Sequence, residues 1–150
     1  MRIDFYHLQV QTLEEVLPKL LGKAYETGQK IVIKIGTDER VEFINSHLWT
    51  YEEGSFLPHG SKKDGNADIQ PIWLTSGDEN PNQANIMFWV DGAESNIDKL
   101  EGITRILNIF DGTSESSLQQ ARRLWKELKS AGHEVYYWQQ DNSKRWQQKA

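Results

Sequence analysis

Arg122, Trp125, Lys126 and Lys129 lie within eight residues of one another, and their types suit holding an anion rather than breaking a bond. On a helix, Arg122, Lys126 and Lys129 follow one another along one side. Trp125 falls beside them, at the edge of the apolar stripe Leu118, Ala121, Leu124, Leu128 and Ala131. An indole flanked by guanidinium and ammonium groups suits a peptide with a hydrophobic residue beside carboxylates. The same spacing also describes a solvated charged face with Trp125 completing the core, and pattern alone leaves both readings open. A second group is Trp49, Tyr51, Phe56 and Leu57, set at a helix end and in a loop where burial is least assured. Large rings there can anchor a protein partner or fold back over a sheet as a lid, and both readings stand.

Groups that could catalyse do not assemble into a set. His7, His47, His59 and His133 share no ligand spacing, and none stands in H-E-x-x-H. Without cysteine there is no disulfide, thiolate metal site or cysteine nucleophile. Asp91-Gly92 and Asp111-Gly112 each close a predicted strand, where α/β enzymes place carboxylates, but Asp-Gly is also an ordinary turn pair. No serine stands in G-x-S-x-G. The first strand runs into LQVQT, with no glycine to admit a pyrophosphate, and no G-x-x-x-x-G-K-[ST] occurs. Gly36-Thr37-Asp38 opens a helix, yet Asp38 and Glu39 repel phosphate, so a cap fits better. The expectation is no catalytic residue, no cofactor and no metal. The alternative is an α/β nucleotide-binding enzyme that has lost the usual phosphate motifs.

The elements that position these residues alternate in type. Ile3, Phe5 and His7 have the period of a strand. Thr12 and Glu15 form a T-x-x-E capping box before a helical run from Leu13 to Tyr25 closed by Gly28, with Pro18 expected to delay or bend it. Lys30–Ile35 is a strand, Asp38 is expected to cap a helix running through Leu48, and 49–67 is a long loop. Strands follow at 70–75 and 85–91, a short helix at 95–100, and a strand at 105–110. Ser114 caps the clearest helix, which ends before Gly132, and 134–139 is a last strand. Such alternation predicts a three-layer α/β sandwich around a mainly parallel sheet, with one domain over 1–140 and a polar tail, 141–150, expected to fray. Trp73 and Trp89 fall in strands, while Trp138 and Trp146 have no assigned role.

Composition sets outer limits. The 150 residues hold 17 Lys/Arg and 22 Asp/Glu, a net charge of −5, which argues against phosphate-driven nucleic-acid binding. Residues 1–110 carry 10 basic against 17 acidic side chains, and residues 111–150 carry 7 against 5, so the basic excess is confined to the C-terminal quarter. The N-terminus lacks a secretory pattern, and the longest apolar stretch, 86–90, is too short for a bilayer. A soluble, intracellular protein is expected.

Several blocks resemble one family. SFLPHG (55–60), DGNADIQPIWLT (64–75), ENPNQANIMF (79–88), IFDG (109–112), A-R-x-x-W-K (121–126) and AGHEVYYWQQ (131–140) follow the order and spacing of the chi subunit of bacterial DNA polymerase III holoenzyme. The resemblance implies a Rossmann-like α/β/α fold and a cytoplasmic, non-catalytic accessory subunit with no cofactor, no small-molecule substrate and no membrane contact. It implies two partners: the psi subunit, which leads to the clamp loader, and the acidic, Phe-ended C-terminal tail of single-stranded-DNA-binding protein. DNA is then reached only through proteins. Arg122, Trp125 and Lys126 match the family's tail-binding positions, with Trp125 where the best-known members have Tyr. Leu118 stands where those members have a lysine. Trp49 and Phe56, seven apart, match the aromatic pair used for psi and, in some members, for a helicase.

Overall fold

The computed structural model describes residues 1–51 and 57–150. Strands β1 (Arg2–Leu8), β2 (Ile31–Lys34), β3 (Ile72–Thr75), β4 (Ile86–Trp89), β5 (Arg105–Asp111), β6 (Glu134–Gln140) and β7 (Trp146–Gln148) form one sheet in the order β3-β2-β4-β5-β1-β6-β7. All neighbours are parallel except β6 and β7. Helices α1 (Leu13–Glu26) and α2 (Asp38–Thr50) pack on one face, and α3 (Glu115–Ser130) with two short 3₁₀ turns packs on the other. The result is the three-layer sandwich that strand–helix alternation predicts.

Both faces of the central strands are covered, which is why IMFW in β4 is an unbroken apolar run. Ile86 and Phe88 enter the core under α1 and α2, while Met87 and Trp89 enter the core under α3. β1 divides the same way: Tyr6 and Leu8 point to the first core, Ile3 and Phe5 to the second. The strand therefore presents His7, next in that alternation, to the α3 side.

Pro18 neither delays nor ends α1. The helix begins at Leu13 under the Thr12–Glu15 capping box, where Thr12 Oγ1 accepts from Glu15 N at 3.3 Å and Glu15 Oε1 accepts from Thr12 N at 3.2 Å. Proline lacks the N–H that would reach the carbonyl of Glu14, one turn back. His47 of α2 supplies the missing donor, its Nε2 lying 2.7 Å from Glu14 O. The helix breaker is thus converted into a link between α1 and α2. His47→Ala is expected to cost about 1 kcal/mol in chemical denaturation, the worth of one such bond. An unchanged midpoint would show that water serves the carbonyl equally well.

Two further expectations change. Thr37, not Asp38, caps α2, its hydroxyl accepting from Arg40 N at 3.2 Å. The tail expected to fray instead returns as β7, with Trp146 opposite Gln140. Asp141 closes that hairpin by accepting from Ser143 N at 2.8 Å and Arg145 N at 3.0 Å. Trp146 then meets the Tyr6 ring edge-on at 5.0 Å, while Trp138 stacks on it at 6.2 Å. A polar segment this short shows no strand period; a turn, the ladder to β6 and the contact of Trp146 with Tyr6 hold it.

Candidate functional site

α3 is opened by Ser114, whose hydroxyl accepts from Ser117 N at 3.3 Å. Ala121, Leu124 and Leu128 are its buried stripe. Arg122 and Lys126 are exposed and Trp125 is half-buried between the two faces. The indole centroid lies 5.5 Å from that of Phe5 and 5.8 Å from that of Tyr137, both in edge-to-face arrangements. Lys129 Nζ lies 5.9 Å from the ring centroid. The helix therefore brings Arg122, Trp125 and Lys126 together as a partly sunk aromatic plate with cations beside it. Trp125 packs on the core under α3 and still reaches the surface.

Adjacent arginines have opposite roles. Arg123 is held by Glu94 at 2.8 Å and Glu127 at 3.1 Å, tying α3 to the loop after β4. Among the described residues no carboxylate pairs with Arg122 or Lys126. These two charges are available to an external anion.

The plate continues into an aromatic floor. The ring of His7 lies 5.2 Å from Phe110 and 5.8 Å from Tyr137, and its Nδ1 is hydrogen-bonded to the Tyr137 hydroxyl. Burial lowers the pKa of His7, Arg122 adds to that, and Asp111 opposes it. Burial raises that of Tyr137 against the pull of Arg122. Sequence reasoning missed His7, Phe110 and Tyr137 as members of this site. Strand period gives their face, but only the pairing of β1 with β5 and β6 brings them under α3.

The second cluster separates on the structure. Leu57 turns inward and is buried, whereas Trp49, in the last turn of α2, is 47% exposed. Trp49 lies on the ring of His59 at 4.2 Å. His59 is buried and spans Leu57 O at 2.5 Å and Asn45 O at 3.0 Å, fastening this segment to α2. Asp64 adds to that attachment, accepting from Asn45 Nδ2 and Ser61 N, each at 2.9 Å. Phe56 lies outside the described residues. Trp49 belongs to the α1/α2 layer and Trp125 to the α3 layer, so the two surfaces flank the sheet.

The place where doubly wound folds take nucleotides is also present, a crevice of about 840 Å³ across the carboxyl ends of β1, β2, β4 and β5. Its walls carry Glu14, Asp91 and Asp111, and its arginine, Arg40, is spent on Glu14 at 3.0 Å and Asp91 at 2.8 Å. Gly36 is there for packing: a Cβ on it would stand 2.7 Å from Asp91 O. These walls disfavour a phosphate. No helix among the described residues is long and apolar enough to cross a membrane.

The fold and the distribution of free charge define a Rossmann-like α/β/α domain with a carboxylate-lined crevice and a cationic, aromatic outer helix. The family profile described as DNA polymerase III chi subunit, HolC, matches residues 1–136. The chain belongs to that family. A curated relative from Rickettsia prowazekii (strain Madrid E), named "Probable DNA polymerase III subunit chi", is 29% identical over 109 residues. That match covers 73% of this chain and 65% of the relative, so the chain spans slightly less than two thirds of the relative's length.

Proposed function

We propose that this protein is a non-catalytic replisome accessory subunit in the cytoplasm, joining the clamp-loader side to protein-coated single-stranded DNA. The α3 surface takes the acidic, Phe-ended C-terminal tail of single-stranded-DNA-binding protein. The phenylalanine lies against Trp125, and its carboxylates meet Arg122 and Lys126. The surface at Trp49, with Phe56, takes the psi subunit. Contact with DNA is indirect, through these proteins. The observation that carries this reading is that Arg122 and Lys126 flank a half-exposed indole without a carboxylate partner of their own among the described residues.

Calorimetry with an acidic peptide ending in Phe tests it. Arg122→Ala is expected to weaken binding about ten-fold, as for loss of one charge-assisted contact. Raising salt is expected to weaken the wild-type complex, because the cations are exposed. Equal affinity of the two proteins removes Arg122 from the site. Several tails on one coated strand would raise the effective affinity beyond that of a single peptide.

A further inference from the structure

We propose that His7 is a proton-linked binding residue of the α3 site: when an anionic peptide docks at Arg122, His7 takes up a proton and becomes a further cation beneath it. The inference rests on the tail-binding reading above and deepens it. No sequence motif points to His7, and its neighbours in space carry the case.

The imidazole is held on several sides. Phe110 lies against it from β5, and the Tyr137 hydroxyl bonds Nδ1 from β6. The backbone of Gly112 closes the opposite edge so tightly that a Cβ there would come within 2.0 Å of ring atoms. Tyr137 is the same ring on which Trp125 rests, so His7 is one residue removed from the aromatic plate. The charged and titratable groups facing His7 are Arg122 from α3, Asp111 from the end of β5 and Tyr137 from β6.

In the free protein, burial first and then the uncompensated Arg122 disfavour protonation of the imidazole, and Asp111 offsets them only in part. A carboxylate placed on Arg122 cancels that repulsion and adds an attraction. The pKa of His7 is then higher in the complex than in the free protein, so binding takes up a proton. By linkage, affinity rises as pH falls through the value in the complex and levels off below the value in the free protein. In the protonated ring Nδ1 donates and the Tyr137 oxygen accepts, so Tyr137 holds the imidazolium in place whichever nitrogen carries the proton of the neutral ring.

The test is calorimetry of the Phe-ended acidic peptide against the full chain at pH 8 and pH 6, in buffers of differing ionisation enthalpy. Wild type is expected to bind about five-fold tighter at pH 6, at the low end of ordinary coupling between sites, with net proton uptake. His7→Gln is expected to lose the slope, its two affinities agreeing. NMR titration of the His7 ring should show its midpoint move to higher pH when peptide saturates the wild type. Binding with equal wild-type affinity at both pH values, or a slope retained in His7→Gln, overturns the role of His7 and leaves the peptide site standing. An absence of binding at either pH overturns the site reading, and this inference with it.

Discussion

Asp4→Asn is expected to destabilise the protein by about 3 kcal/mol, the low end for breaking a buried ion pair. Asp4 is fully buried in β1. Its carboxylate accepts from Arg2 Nε at 3.0 Å and Nη2 at 3.1 Å, from Arg105 Nε at 3.0 Å and from Trp138 Nε1 at 3.0 Å. The β1–β5 register sets Arg2 directly beside Arg105, so this one carboxylate separates two like charges. Asparagine keeps the shape but removes the charge and turns an amide donor toward a ring of donors. Both arginines are about two fifths exposed, so water recovers part of the loss, which is why the low end applies.

The pH dependence has a definite sign. Burial pushes the Asp4 carboxyl up, but Arg2, Trp138 and Arg105 more than offset it and hold it below the ordinary carboxylate range. A lowered carboxyl stabilises the fold above its unfolded value, about pH 4, and that contribution is lost as pH falls through the folded value. Urea titrations at pH 7 and across the acid range should show a large gap between wild type and Asp4→Asn that narrows with acid. A gap within about 0.5 kcal/mol at pH 7 would mean that the arginines are fully served by solvent.

Legibility in the sequence ran with distance along the chain. The capping box of α1, the buried stripe of α3 and the position of Trp125 at its edge are local, three- and four-residue relations, and helical period states them directly. The distinction between Arg122 and Arg123 is not local. It depends on Glu94, 29 residues away, which binds only the second of them. The pairing of His7 with Tyr137 spans 130 residues and exists because β1 lies between β5 and β6. Strand period could assign each ring to a face but not to a neighbour. Pro18 shows the same limit from the other side: a breaker rule fails where another helix supplies the donor. Trp138 and Trp146 carry no local signal for their place, because it is set by Tyr6, which lies against both. The family resemblance supplied the partner assignments that no local pattern contained, through Trp49, Phe56, Arg122, Trp125 and Lys126.

Trp125→Ala is expected to cost both folding and binding, and Trp125→Phe separates the two. The indole is half-buried, its edge contacts to Phe5 and Tyr137 making it part of the core under α3. Truncation to alanine removes those contacts and leaves a cavity open to solvent, so a loss of about 2–3 kcal/mol is expected, below the range for fully buried aromatics. Peptide affinity should fall more than 30-fold, in line with loss of a central aromatic anchor. Phenylalanine keeps a ring against Phe5 and Tyr137, so stability should stay within about 1.5 kcal/mol of wild type. Its smaller face, and the loss of the indole's stronger attraction for Lys129, should still weaken the peptide several-fold. Denaturation midpoints and calorimetry on the same preparations give both quantities. Wild-type affinity in a folded Trp125→Ala protein would reduce the indole to core packing and leave Arg122 and Lys126 as a purely electrostatic site. A defect in binding confined to the alanine variant would show that ring contact, rather than indole shape, is what the peptide reads.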